Sequence, residues 1–211
     1  MGKVVGAIVL VFCPGFLWAE TVTIAALGDS LTQGYGLPAE LGFVPQLEAW
    51  LQDRGQDVVV INAGVSGDTT AGGLSRVDWT LTPDVDALIV TLGGNDLLRG
   101  IDPGVSRANL DGILRAADAA GVEVLLVGMQ APGNYGPEYK ATFDSIYPDL
   151  AQTYGTLFAA SFFEGFGGAT ADPSALGRFM QEDGIHPNAI GVERIVSGLG
   201  PYVLELVAQV D

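Results

Sequence analysis

Acyl transfer needs a nucleophile, a base and something to hold the base, and this chain supplies one of each in widely separated stretches. Ser30 follows the apolar run 22–27 and sits in Gly28-Asp29-Ser30-Leu31. A hydroxyl is a poor nucleophile until a base takes its proton. Imidazole, with an ordinary pKa of about 6.5, makes that exchange near neutrality. The chain has a single histidine, His186, so a Ser–His pair has no other base. Asp183 precedes it in Asp183-Gly184-Ile185-His186-Pro187, where one turn can bring its carboxylate to the ring, fix the tautomer and support the imidazolium. Attack on an ester carbonyl also needs donors for the developing oxyanion. The candidates are the Ser30 N–H, the Gly64 N–H, which no side chain shields, and the side-chain amide of Asn95 in Gly93-Gly94-Asn95-Asp96.

These groups must be carried by rigid elements. Residues 22–27 read as a strand that breaks at the Gly-Asp-Ser turn. Apolar spacing predicts a helix over 43–54 with Phe43, Leu47, Trp50 and Leu51 on one face, closed by Gly55. Val58-Val59-Val60-Ile61 is a continuous β-branched run and predicts a strand buried on both faces. The loop beyond it ends where Asp68 or Thr69 can cap a helix over 71–81. A third strand over 87–92 leads into the Asn95 block. A helix over 103–120 turns Val105, Leu110, Ile113, Leu114 and Ala117 inward and stops at Gly121. A fourth strand, 123–129, is followed by the Asn134 loop and a helical stretch over 137–154, broken or bent near Pro148. A weaker strand over 156–162, a Gly- and Ala-rich surface loop over 164–177 and a helix over 189–210 complete the chain. Strands alternating with helices imply an α/β fold with a parallel sheet covered on both sides. Ligands of such sheets bind outside the carboxyl ends of the strands, which puts Ser30, Gly64, Asn95 and the Asn134 loop on one rim.

Composition narrows the classes. The 211 residues are 48% hydrophobic, enough for a single well-buried domain. A net charge of -16 repels phosphate backbones and argues against nucleic acid as a partner. Lys3, the apolar run 4–13, Pro14-Gly15 and Leu17-Trp18-Ala19 form a secretory leader pattern over 1–19, with cleavage expected after Ala19 and a mature domain over 20–211. The apolar run is well short of the roughly 20 residues that span a bilayer, so no stable membrane anchor is expected. The one cysteine, Cys13, would leave with the leader, which removes Cys-based catalysis and disulfides from the mature chain. No apolar stripe calls for a second copy, so a monomer is expected.

Taken together, Gly28-Asp29-Ser30-Leu31, Gly64, Gly93-Gly94-Asn95-Asp96 and Asp183-Gly184-Ile185-His186-Pro187 resemble, in order and spacing, the SGNH hydrolases, also called GDSL esterases, across the whole mature chain. Val65-Ser66-Gly67-Asp68-Thr69, Leu98-Arg99-Gly100 and Asn134-Tyr135-Gly136 are similar to the periplasmic subgroup with acyl-CoA thioesterase, lysophospholipase and arylesterase activities. The resemblance implies a three-layer α/β/α sandwich on a five-stranded, flavodoxin-like sheet. It implies Ser30 as nucleophile, His186 as base then acid, and Asp183 as the residue orienting it. Ser30, Gly64 and Asn95 would form the oxyanion hole, with no metal, no cofactor and a small-molecule acyl ester as substrate. It further implies a mobile loop over about 97–102 beside the acyl groove, which makes Leu97, Leu98 and Tyr135 candidate substrate contacts. The same leucines would serve equally to pack the following helix, and Tyr135 to fill structure. Other readings stay open: a carbohydrate O-deacetylase, a non-catalytic flavodoxin-like binding module, or a metal phosphohydrolase built on Asp29, Asp96 and Asp183. Coenzyme A esters are the less attractive physiological substrate, because they share the protein's negative charge.

Overall fold

The computed structural model describes residue 2 and residues 21–167 and 176–210. The leader expected over 1–19, with Lys3, Cys13 and its cleavage point, falls outside the described residues apart from Gly2. Five parallel strands form one sheet: β1 (Val22–Gly28), β2 (Val58–Gly64), β3 (Ala87–Thr91), β4 (Glu123–Val127) and β5 (Leu157–Ala159), in the order β2-β1-β3-β4-β5. Strand β1 pairs on both sides, and Ile24, Ala25, Ala26 and Leu27 are fully buried. Register aligns Gly28 with Gly64 on one side and with Thr91 on the other, so three strands end at one level.

Helices cover the two faces. On one lie α2 (Phe43–Gln52) and the last helix, α8 (Ala189–Val207), which pack on each other. On the other lie α3 (Thr70–Thr80), α5 (Pro103–Ala120), α6 (Pro137–Asp144) and α7 (Ile146–Tyr154). Two short helices, α1 (Ser30–Gln33) and α4 (Gly94–Leu98), sit directly on the strand ends. The caps are written locally. Thr69 accepts from Gly72 N–H at the start of α3, and Asp102 accepts from Gly104 N–H at 2.7 Å with Pro103 opening α5. Asn188 accepts from Gly191 N–H at 3.0 Å to open α8.

Four expectations change. Strand β2 is not buried on both faces: Val58 and Val60 are buried, but Val59 and Ile61 are 46% and 42% exposed. It is an edge strand, and α3 packs across β1, leaving that face of β2 open. Its β-branched run is instead a good edge, whose outward Val58 carbonyl and Val60 N–H are taken by the Gln52 and Glu48 side chains. Val105 does not turn inward; it is 49% exposed in the first turn of α5, before the helix reaches the sheet. The break expected near Pro148 falls at Ser145. That position puts Pro148 in the first turn of α7, where its missing N–H forfeits no intrahelical bond. Residues 164–177 are not all surface loop. Phe166 stacks on Phe179 with ring centroids 5.3 Å apart, and Gly165 packs on the Arg194 carbonyl of α8. Residues 168–175 of that stretch lie outside the described residues.

The end of β1 tolerates only glycine. A Cβ on Gly28 would overlap the hydroxyls of Thr32 and Thr91, which are buried and hydrogen-bonded to each other. Gly28→Ala is therefore expected to cost about 1–3 kcal/mol by overpacking, read as a lower urea midpoint. Gly133→Ala, whose Cβ meets open space, should leave the midpoint unchanged.

Candidate active site

Ser30 is the first residue of α1, two residues past the end of β1 and directly after the cap Asp29. The fold brings it to His186 from 156 positions away: His186 Nε2 lies 2.9 Å from Ser30 Oγ. His186 Nδ1 lies 2.7 Å from Asp183 Oδ2. A carboxylate can only accept, so Nδ1 carries the proton and Nε2 accepts from the serine hydroxyl. The loop is wound tightly around Asp183. Its Oδ1 accepts from Ile185 N–H at 2.9 Å and His186 N–H at 3.0 Å, with Gly184 at φ +67° making the turn. The His186 N–H, the imidazole and the Ile185 N–H together hold the Asp183 carboxyl down at about 2. Gln181 ties this loop to the nucleophile's side of the site, donating to the carbonyls of Tyr35 (2.8 Å) and Pro187 (2.9 Å). The Tyr35 ring lies against the imidazole with centroids 4.6 Å apart.

A cavity of about 580 Å³ opens beside the pair, and Ser30, His186 and Asn95 line it. Leu97, Leu98 and Tyr135 line it too, so all three candidate substrate contacts reach the cavity. The leucines stand on helix α4 rather than in a loop, Leu97 buried and Leu98 63% exposed. Met129, Phe163 and Ile185 add to an apolar wall.

Two of the three oxyanion candidates face this cavity and one does not. The Ser30 N–H has no hydrogen-bond partner among the described residues, and the Asn95 amide spends one hydrogen on Asp29 Oδ2 at 3.1 Å, keeping the other. Gly64 is the correction. Strand β2 runs three residues past its β-branched run and ends at Gly64, whose N–H donates to Asn62 Oδ1 at 3.0 Å. A Cβ there would strike the Gln33 backbone, so Gly64 serves to seat α1 against β2. Gly67, which does line the cavity, has φ +83° and an N–H with no partner among the described residues. Its signal was present in sequence: Ser66-Gly67-Asp68 is a turn just ahead of the helix cap Thr69. Ending the strand at Ile61 placed the loop, and with it the donor, three residues early.

Sequence reasoning also missed the groups that hold this loop. Arg76 donates to Asp68 Oδ2 (2.7 Å), to the Ala63 carbonyl (2.7 Å) and to the Gly28 carbonyl (2.8 Å). Arg99 donates to the Gly67 carbonyl at 2.7 Å. Asp96, fully buried, accepts from Thr70 N–H (2.9 Å), Thr70 Oγ1 (2.6 Å) and Ser106 Oγ (2.9 Å). Asp29, Asp96 and Asp183 thus belong to separate hydrogen-bond sets. Among the described residues no group of three or more His, Cys, Asp or Glu could hold a metal ion. No helix among them is long and apolar enough to cross a membrane.

Residues 26–194 match the GDSL-like Lipase/Acylhydrolase family. The chain is 39% identical over 189 residues to Esterase TesA of Pseudomonas aeruginosa, covering 89% of this chain and 90% of that one. It is 37% identical over 175 residues to Thioesterase 1/protease 1/lysophospholipase L1 of Escherichia coli K12, covering 82% and 79%. Among solved structures, AlinE4, an SGNH-hydrolase family esterase, superposes with a TM-score of 0.71 at 44% identity, over 89% of this chain and 97% of that one. The three-layer arrangement around a five-stranded parallel sheet is that of SGNH hydrolase structures.

Two measurements test the electrostatics. Asp183→Asn replaces the acceptor that fixes the imidazole and is expected to lower kcat by about 10²–10⁴-fold. Asp29 titrates oppositely: burial lifts its carboxyl from 3.8 to about 6, against the Leu31 N–H, the Asn95 amide and the charge of His186. A raised folded pKa means the stability from this group is complete below about pH 4 and lost as pH rises through about 6. The stability of Asp29→Asn relative to the native chain should therefore climb between pH 4 and pH 7, by at most about 3 kcal/mol, in parallel urea titrations.

Proposed function

The chain belongs to the GDSL-like lipase/acylhydrolase family, and from that premise we propose that Ser30, His186 and Asp183 are its catalytic triad. The enzyme is a carboxylic ester hydrolase. The observation that carries the site assignment is the unbroken chain of hydrogen bonds from Asp183 through both ring nitrogens of His186 to the Ser30 hydroxyl.

Ser30 Oγ attacks the ester carbonyl carbon while its proton passes to His186 Nε2. The carbonyl oxygen becomes an oxyanion, held by the N–H groups of Ser30 and Gly67 and the free amide hydrogen of Asn95. Collapse breaks the bond to the leaving oxygen, which takes the proton from His186, and the acyl group stays on Ser30. Water then repeats the sequence: it loses a proton to His186, attacks the acyl carbon and frees the acid, and Ser30 recovers its proton. Asp183 keeps its charge throughout and supports the imidazolium in both halves.

The apolar wall of Leu97, Leu98, Met129 and Phe163 suits the acyl half of the substrate, favouring chains longer than acetyl over an O-deacetylase role. Aryl esters, lysophospholipids and thioesters form the proposed range, in keeping with the names of the similar proteins. Export to the periplasm follows from the leader pattern over 1–19, with the enzyme working there as a monomer whose site residues all come from one chain.

Assays of the mature chain from Glu20 on p-nitrophenyl esters of C4 to C12, with chelator present, test this. Native protein should turn over all of them, fastest on medium chains. Ser30→Ala and His186→Ala should each lose at least about 10³-fold in kcat. Variants as active as the native chain, or activity abolished by chelator, would overturn the assignment.

A further inference from the structure

Asp29 is a buried carboxylate between the nucleophile and the amide donor, and the reaction above makes no use of it. It is 2% exposed, and its two oxygens face two different parts of the site. Oδ1 accepts from Leu31 N–H at 3.0 Å and so caps the one-turn helix that Ser30 opens. Oδ2 accepts from Asn95 Nδ2 at 3.1 Å. Gly94 completes the enclosure, with its Cβ direction 3.3 Å from Oδ2. We propose that Asp29 is a positioning residue that sets the orientation of the Asn95 amide and thereby keeps a donor aimed at the oxyanion.

The chemistry of the two side chains makes the orientation one-sided. A primary amide presents an NH₂ on one side and a carbonyl oxygen on the other. An acceptor that donates nothing admits only the NH₂, and the second hydrogen of that NH₂ is then left for the cavity that Asn95 lines. Cap and amide lie on opposite oxygens of one carboxylate, so the donor's position is tied to the turn that carries Ser30. A helix cap alone has no need of a carboxylate: Asn, Ser or Thr would serve the Leu31 N–H equally well. Burying a charge for a cap is costly, as the carboxyl lifted to about 6 records. What Asn in that place cannot do is accept on both oxygens. Its one oxygen would stay with Leu31 N–H, its NH₂ would face Asn95, and the Asn95 amide would flip to meet it. The flip would turn a carbonyl oxygen toward the oxyanion.

This rests on Asn95 as an oxyanion donor and Ser30 as the nucleophile, and the test separates the failures. Four proteins are compared on p-nitrophenyl butyrate at pH 8: native, Asp29→Asn, Asn95→Ala and the double variant, with Ser30→Ala as reference. Losing an oxyanion donor costs about 10²–10³-fold in kcat. Asp29→Asn should fall to within about threefold of Asn95→Ala, with KM within about threefold of native. The double variant should be no slower than Asn95→Ala alone, because nothing is left to orient. The urea midpoint of Asp29→Asn at pH 8 should equal or exceed the native value, which a merely structural residue would not give. An Asp29→Asn kcat within twofold of native, losses that multiply in the double variant, or an Asp29→Asn chain that unfolds earlier or fails to fold each overturn the proposal. A Ser30→Ala protein with native activity would instead overturn the triad.

Discussion

The site depends on three strands stopping at the same level. Gly28 pairs across to Gly64 and to Thr91, and Ser30, Gly67 and Asn95 all hang from those ends or from the loops beside them. Arg76 ties two strands together, taking the Ala63 carbonyl and the Gly28 carbonyl, which also accepts from Val65 N–H, with one guanidinium and closing on Asp68. The planar fork of arginine suits three acceptors at fixed angles in a way an ammonium does not. A single side chain from α3 thereby fixes how the nucleophile's strand stands relative to the loop that carries Gly67.

The histidine arrives by a different principle. Its loop belongs to no strand end, so its placement rests on hydrogen bonds within residues 178–188. Gln181 N–H reaches the His186 carbonyl at 2.8 Å, Asn188 N–H the Phe179 carbonyl at 2.9 Å, and the Asn188 amide the carbonyls of Arg178 and Met180. The loop is closed at one end by the cap of α8 and at the other by aromatic packing of Phe179 on Phe166. One half of the site is held by the sheet and the other by a self-bonded loop docked against Tyr35. That division makes the Ser30–His186 distance the joint product of two independently rigid pieces.

Local pattern carried most of the fold and the grouping of Ser30, His186 and Asp183, because both rest on signals that tertiary packing does not alter. Alternation of strands and helices, the Pro103 and Gly121 boundaries of α5, and a lone histidine three residues after an aspartate all survive folding unchanged. What sequence could not supply was which strand lies at the edge, since Val58-Val59-Val60-Ile61 suits an edge or a centre equally until the order β2-β1-β3-β4-β5 is known. The same uncertainty displaced the candidate oxyanion glycine. A small-residue stretch such as Asn62-Ala63-Gly64 has no strong preference, and it became strand because β1 was there to pair with it. Arg76, Asp96 and Arg99 were illegible for a simpler reason: charged residues on helices and loops read as solvated surface until their backbone partners are seen.

Two aspartates lie beside the Ser30–His186 pair, and their surroundings drive them in opposite directions. Asp183 is partly open to water and takes donors on both oxygens, so its charge is preferred and its carboxyl sits at about 2. Asp29 is closed off from solvent with one donor on each oxygen, and burial outweighs them to lift it to about 6. The number of donors relative to lost hydration decides the sign, not the proximity to His186, whose charge acts in the same downward direction on both. The partner of an imidazolium must stay ionised through the whole cycle, which demands the well-solvated, donor-rich position. An acceptor that orients a neutral amide faces a lesser demand. It needs to be fixed in place, and burial fixes it.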